Sequence, residues 1–178
     1  ARKVEVILRE SDQVIRYFKH DGKTEGTLIC KHKLGFISAN AGVDESNIEG
    51  EDTVLLLPDD PDFSAMTIRE YFKNKCGVNI GLVITDTFGR PWRLGQVNVA
   101  IGVAGIPVTL KEIGNIDAYG RVLTVTEPAF CDEVSAASGL VVGKREKTPF
   151  VLFRGLEWVE GNQRATDILR STKEDVFL

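Results

Sequence analysis

The spacing of apolar positions changes several times along the chain, and each change predicts an element. In RKVEVILRES, Val4, Ile7 and Leu8 recur at helical spacing and predict a short helix at the very start. QVIRYFK and GTLICKH are rich in β-branched and aromatic residues, and His20-Asp21-Gly22-Lys23 between them predicts a hairpin-like connection. LGFISANAG continues as a strand and breaks at Asn40-Ala41-Gly42. TVLLLP is a continuous apolar run closed by Pro58, as expected of a buried strand. Asp62 is placed to cap a helix with Ala65, Ile68 and Phe72 on its inner face, ending at Lys75-Cys76-Gly77. NIGLVIT predicts a second buried strand, ending at Asp86-Thr87. Gly89, Gly95, Gly102, Gly105, Gly114 and Gly120 punctuate the next stretch, which predicts short strands joined by tight turns. Thr126 then caps a helix with Pro128 in its first turn and Phe130, Val134, Ala137 and Val141 as its buried stripe. TPFVLFRG predicts another strand and NQRATDILR a short final helix. With no internal repeat or low-complexity linker, the pattern predicts a single domain over residues 1–178, of mixed α/β (α+β) class with a sizeable sheet and flanking helices.

Charge narrows the function classes. The chain carries 22 basic and 26 acidic side chains, net −4, which argues against nucleic acid or an anionic membrane as partner. No apolar run approaches the roughly 20 residues of a bilayer span, and no signal peptide opens the chain, so a cytoplasmic protein is expected. Cys30, Cys76 and Cys131 form no CxxC pair and are expected to be free thiols in a reducing compartment. His20 and His32 are the only histidines, and each is expected to be an ordinary, partly exposed side chain. Carboxylates, backbone amides and a bound ion remain as the carriers of any chemistry.

Three segments are candidates. ANAGVDESN (39–47) gathers Asp44, Glu45, Ser46 and Asn47 in one loop after a strand. An Asx-turn in a solvated loop accounts for this composition; the functional alternative is that Asp44 binds a hard cation and Asn47 a polar ligand. VITDTFGRPWR (83–93) delivers Asp86 and Thr87 at the expected carboxyl end of a strand, followed by Arg90, Trp92 and Arg93. Should Asp44 and Asp86 converge, two carboxylates and the Thr87 hydroxyl make an all-oxygen site suited to magnesium or manganese. GLVVGKR (139–145) is no Walker A motif, since three residues separate its glycines and no Ser or Thr follows Lys144. Its Gly143-Lys144 turn can meet a phosphate, or can simply end a helix.

ANAGVDESN, DTFGRPWRLGQ, AIGVAG and GRVLTVTEPAFCDE, followed by GLVVGK and PFVLFRG, occur in an order that resembles the coenzyme F-420 γ-glutamyl ligases, from VILRES to STKEDVF. The resemblance implies an unusual α/β fold forming an intertwined homodimer. It implies metal and GTP contacts at Asp44 and Asn47, metal ligation at Asp86 and Thr87, and nucleotide contacts within residues 142–149, including Val142, Gly143 and Lys144. A metal contact in that stretch falls near Lys144, which cannot ligate while protonated. The family's earlier basic phosphate-contacting turn has no counterpart here, so an N-terminal segment is expected to be missing.

The activity so implied is amide ligation. GTP is the co-substrate, magnesium or manganese the cofactor with potassium as an accessory cation, and L-glutamate and the deazaflavin coenzyme precursor are the substrates. An acyl phosphate formed from a substrate carboxylate and the γ-phosphate would be displaced by the glutamate amine. Arg90 or Arg93 would grip a phosphate or carboxylate, and Trp92 would stack on a ring or pack in the core. The alternatives are a non-catalytic nucleotide- or metal-binding dimerisation module and a related ligase with a different substrate.

Overall fold

The computed structural model describes residues 2–22, 25–50, 52–171 and 173–175. Helix α1 (Arg2–Glu10) forms where the opening pattern predicts it, with Ile7 as its buried side chain. It leads directly into β1 (Ser11–Lys19), which pairs antiparallel with β2 (Gly26–His32). Lys23, at the end of the expected turn, lies outside the described residues. Strand β3 (Ile37–Ala39) completes a three-stranded sheet in the order β1-β2-β3. Cys30, Ile7, Ala41 and Val43 form a small core beneath it.

Helix α2 (Pro61–Cys76) ends as expected at Gly77, whose φ of 67° is the left-handed cap that glycine adopts without strain. It starts differently. Asp60, not Asp62, is the cap, accepting from the Phe63 amide at 3.0 Å, because Pro61 takes the first helical position. Strands β4 (Leu82–Arg90) and β5 (Arg93–Ala104) form a long antiparallel hairpin. Thus β4 continues three residues beyond the expected end at Asp86-Thr87, held by cross-strand pairs such as Phe88 with Val97 and Gly89 with Gln96. The glycine-rich middle therefore opens with a 12-residue strand instead of short ones. Gly102 is needed within it, since a methyl group there would collide with the Pro61 carbonyl at the start of α2.

Among the described residues, five strands make a three-stranded and a two-stranded sheet, both antiparallel, in place of one sizeable sheet. Helix-borne carboxylates occupy the edge of β5 that β4 leaves unpaired. Asp132 of α3 (Phe130–Ser138) accepts from the Ala100 amide at 2.9 Å, and Asp62 of α2 accepts from the Val103 amide at 2.8 Å. The main core gathers here, with Phe36, Phe88, Ile101, Val108, Phe130 and Cys131 among its buried members.

Three further expectations are corrected. TVLLLP joins no sheet: Leu55 makes one bridge to Asp44, and Leu55 and Leu56 are exposed. TPFVLFRG forms no strand, and Phe150 and Leu152 are exposed. In both, the apolar run signals β propensity but, among the described residues, joins no ladder beyond that bridge. Thr126 does not cap α3, because its carbonyl accepts from the Glu112 amide in an arm spanning 110–128; the helix begins only at Phe130 and leaves Val141 exposed. A short 3₁₀ helix, Ala165–Ile168, lies within the expected final helix.

The cysteines are free, with Cys30 and Cys131 buried and Cys76 exposed. Burial, then the charge of Asp132, pushes the Cys131 thiol up to about 12, so it is a packing group and not a nucleophile. His32 departs from the partly exposed expectation: it is 4% exposed and its Nδ1 accepts from the Leu34 amide at 2.9 Å. Burial holds this imidazole below its ordinary 6.5, against the opposing pull of the Glu10 carboxylate 3.9 Å away. The unfolded chain therefore takes up this proton first as pH falls, and stability should decline below about pH 6.5. His32→Asn, which retains an acceptor for Leu34, should flatten that decline in melts recorded across pH; an unchanged slope would assign it to other groups.

Candidate functional site

The loop bearing Asp44 is shaped by backbone of the rarer hand. Asn40, Ala41 and Gly42 have φ of 53°, 52° and 70°, a left-handed run that few residues except glycine and asparagine tolerate. The Asn40 side chain steadies it by accepting from the Leu28 amide at 3.1 Å. The chain then reaches Asp44, whose backbone exchanges hydrogen bonds of 3.1 and 2.8 Å with Leu55. The Asx-turn expected from sequence is present: the Ser46 amide donates to Asp44 Oδ1 at 3.0 Å and the Ser46 hydroxyl to Oδ2. Partial burial disfavours the Asp44 charge, but the Ser46 hydroxyl and amide, the Glu45 amide and the Lys144 ammonium outweigh it. Asp44 is held below the ordinary carboxylate range.

Asp86 shows the opposite balance. It is half-buried on β4, and desolvation pushes its carboxyl up, helped by the negative charge of Asp44. The Thr87 amide and the Lys144 ammonium oppose the shift without cancelling it. Asp86 is thus raised in part by the charge of a carboxylate 42 positions away in sequence. Such a pair is a fitting donor set for a hard divalent cation, which replaces lost hydration and relieves the repulsion. Among the described residues no three or more His, Cys, Asp or Glu side chains gather into a metal cage. Magnesium accepts that arrangement, since it usually keeps several waters and takes one or two carboxylates plus substrate phosphates.

The GLVVGKR turn comes to the same place. Asn47, at φ 55°, donates from Nδ2 to the Lys144 carbonyl at 2.8 Å, a bond across 97 positions. Gly143 donates to Glu146 Oε2 at 3.2 Å, and the Glu146 amide returns a bond to the Gly143 carbonyl at 3.2 Å. A methyl group at Gly143 would lie 2.9 Å from the Glu146 carboxyl, so a larger residue there would push that side chain aside. Val142 is half-buried at the base of the turn, its amide bonded to the Ser138 carbonyl at the end of α3.

Other candidates lie apart. Side chains alternate along a strand, so Thr87 leaves the face opposite Asp86. Its hydroxyl donates to Asn98 Oδ1 at 2.9 Å, and Asn98 donates to the Ser138 hydroxyl at 3.2 Å, tying β4 and β5 to α3. Arg90 is four residues along β4 from Asp86, about 13 Å at the usual rise, and its guanidinium donates to the Leu94 carbonyl. Trp92 and Arg93 are at the hairpin tip, and Trp92 is 85% exposed, which rules out the core-packing alternative within the chain. Ser46 is recognisable from its position two residues after an aspartate. Asn98 has no such local signal, because only the cross-strand register brings it to Thr87. Phe36, Phe88, Val99, Asp132 and Arg170 border an open, largely apolar cleft of about 270 Å³, and Val99 is the cross-strand partner of Asp86.

Comparison with known proteins agrees with these motifs. The model of the F420-0:Gamma-glutamyl ligase family matches residues 1–155. A Methanopyrus kandleri protein named coenzyme F420:L-glutamate ligase is 43% identical over 181 aligned positions, which cover 99% of this chain and 69% of that protein. Proteins of the same name from Methanocaldococcus jannaschii and Methanothermobacter thermautotrophicus are 38% and 39% identical. Each alignment covers 98% of this chain, and 67% and 68% of the respective relative. The chain belongs to the F420-0:gamma-glutamyl ligase family.

Proposed function

We propose that the chain is an amide ligase adding L-glutamate to the deazaflavin coenzyme F-420 precursor, with GTP as energy source. Kinship along nearly the whole chain supports the ligase class. The observation that supports the nucleotide and metal part is the bond by which Asn47, on the Asp44 loop, holds the Lys144 carbonyl, together with the charge of Asp44 acting on Asp86. In this reading magnesium or manganese, bound by those two carboxylates, neutralises phosphate charge during transfer. Asn47 and the Gly143-Lys144 turn position the phosphates. The apolar cleft, bordered by Phe88 two residues along β4 from Asp86, receives the deazaflavin ring.

The reaction is written as two displacements. An oxygen of the precursor carboxylate attacks the γ-phosphorus of GTP, the bond to the β-phosphate oxygen breaks, and GDP leaves. The glutamate amine then attacks the acyl carbon, and phosphate departs with the former carboxylate oxygen as the nitrogen loses a proton. A precursor labelled with ¹⁸O in that carboxylate should yield phosphate carrying one ¹⁸O per amide formed. Unlabelled phosphate alongside normal amide formation would overturn the acyl phosphate route. Amide formation independent of GTP would overturn the co-substrate assignment.

The proposed enzyme is a homodimer. Trp92 and Leu94 at the hairpin tip are 85% and 99% exposed, and Tyr119 and Val125 on the 110–128 arm are 88% and 85% exposed. Apolar side chains on two projecting elements are costly in water and suit exchange between two copies of the chain. Sedimentation equilibrium should show a dimer at micromolar concentration; a monomer throughout that range would contradict this.

A further inference from the structure

We propose that Asp132 reads the imide edge of the deazaflavin ring: its free carboxylate oxygen accepts the ring N–H that lies between two carbonyls. The inference rests on the assignment of the apolar cleft to that ring, and deepens it by naming the group that orients the ring there.

The cleft opens on the face of the β4-β5 hairpin that carries Asp86. Side chains two apart on a strand, and those directly across a ladder, share a face. Phe88 is two residues from Asp86 and Val99 is its cross-strand partner, and both border the cleft. Phe36 meets Phe88 edge-on, with ring centroids 6.3 Å apart, so two aromatic rings form part of the wall. Asp132 brings a half-buried carboxylate to this wall from α3. Its Oδ1 is committed to the Ala100 amide at 2.9 Å, which fixes the side chain. Its Oδ2 has no hydrogen-bond partner among the described residues. The buried side-chain oxygen left without a partner among them is the Ser38 hydroxyl. Oδ2 is therefore not sealed in the core, and is open to the cleft that Asp132 borders.

A carboxylate oxygen can only accept, so the ligand atom that faces it must donate. A deazaflavin is apolar on its two faces and carries at one edge an N–H flanked by two carbonyls. Aromatic and aliphatic walls suit the faces, and Oδ2 suits the N–H. Desolvation already holds the Asp132 carboxyl above its ordinary range, and a donor at Oδ2 would relieve that cost. Arg170 also borders the cleft and makes no ion pair at 4 Å or less among the described residues, so its guanidinium is free to donate to a flanking carbonyl. At about 270 Å³ the cleft falls just below the usual range for drug-sized ligands, roughly 300–1,000 Å³. That suits a ring system whose polar tail stays outside, on the face that carries Asp86.

Asp132→Asn tests this, because the amide oxygen can keep the Ala100 bond while an NH₂ group replaces Oδ2 and meets the ring N–H donor to donor. Titration followed by the fluorescence of the deazaflavin precursor should show binding roughly tenfold weaker than in the unaltered protein, the scale of one hydrogen bond to a charged group. A precursor methylated at that ring nitrogen should bind the unaltered protein about tenfold more weakly too, and should lose little more in Asp132→Asn. Ile37→Lys, at the exposed side of the cleft, should weaken precursor binding independently of Asp132. Suppose Ile37→Lys weakens binding, but Asp132→Asn does not or the methylated and natural rings bind equally. That result would overturn the role of Asp132 and leave the ring in the cleft. Unchanged affinity in both variants would overturn the cleft assignment and this proposal together. Weaker GTP binding in Asp132→Asn, with precursor binding unaltered, would put the guanine N–H at Oδ2 and overturn the proposal as well.

Discussion

Asp86→Asn is expected to weaken manganese binding at least about a hundredfold, beyond the roughly 10- to 100-fold typical of losing a group outside the coordination shell. Glutamate ligation should be lost in step. The metal-free fold should lose nothing. Asparagine preserves shape, and the charge it removes is one that the fold disfavours through desolvation, with Asp44 adding repulsion. The folded pKa of Asp86 lies above its unfolded value, so metal-free stability should rise as pH falls from above that folded value towards 3.8. Asp44 acts with the opposite sign: its contribution is present above 3.8 and is lost as pH falls through its lowered folded value. Calorimetric melts in chelator should find Asp86→Asn as stable as the unaltered protein, or more so, near neutrality. Unaltered manganese affinity would remove Asp86 from the site, whereas a large fall in stability would make it a structural cap.

Asp62→Ala should be among the most damaging single changes to the fold, costing about 3 kcal/mol, the sum expected for leaving two part-buried amides unsatisfied. One oxygen, Asp62 Oδ1, accepts from Val103 at 2.8 Å and from Ala165 at 3.0 Å, joining β5 to the 3₁₀ segment through the first turn of α2. Its other oxygen faces Arg164 at 3.1 Å, but the arginine side chain is 56% exposed, so solvent screening leaves that ion pair a minor contribution. Asp62→Asn keeps an acceptor at the position of Oδ1 and should cost distinctly less than alanine. Because β5 pairs residue by residue with β4, loosening it should also blur the position of Asp86 and weaken manganese binding indirectly. Urea unfolding of the two variants side by side checks the ranking. Equal losses would show that the backbone bonds are not what Asp62 contributes.

Local signals were legible in the residues; distant partnerships were not. The body and stop of α2 follow from apolar spacing and Gly77, both short-range features. The helix is capped two residues earlier than Asp62 predicts, because Asp60 and Asp62 are both acceptable caps until Pro61 decides between them. The β1-β2 hairpin was equally readable. The fate of TVLLLP was not, since an apolar run says that burial is favourable but not which backbone it will meet. The same limit hid the length of β4, which depends on pairing with residues 93–104.

In the site, Asp44 and Asp86 stand out as oxygen donors beside turn and strand signals. The placement of Asp44 involves the left-handed run at 40–42 and the Asp44-Leu55 bridge, features of three-dimensional backbone. Arg90, Trp92 and Arg93 are close to Asp86 in sequence. Extended β geometry carries them instead towards the far end of a hairpin.

The central claim is that Asp44 and Asp86 together hold a divalent cation. Crystals of the protein soaked in manganese chloride, with diffraction recorded near the manganese absorption edge, test it most directly. The account predicts an anomalous peak between the two carboxylates, with an oxygen of each at about 2.0–2.3 Å, as hard cations with oxygen ligands require. A fully occupied manganese elsewhere, with none between Asp44 and Asp86, would contradict it.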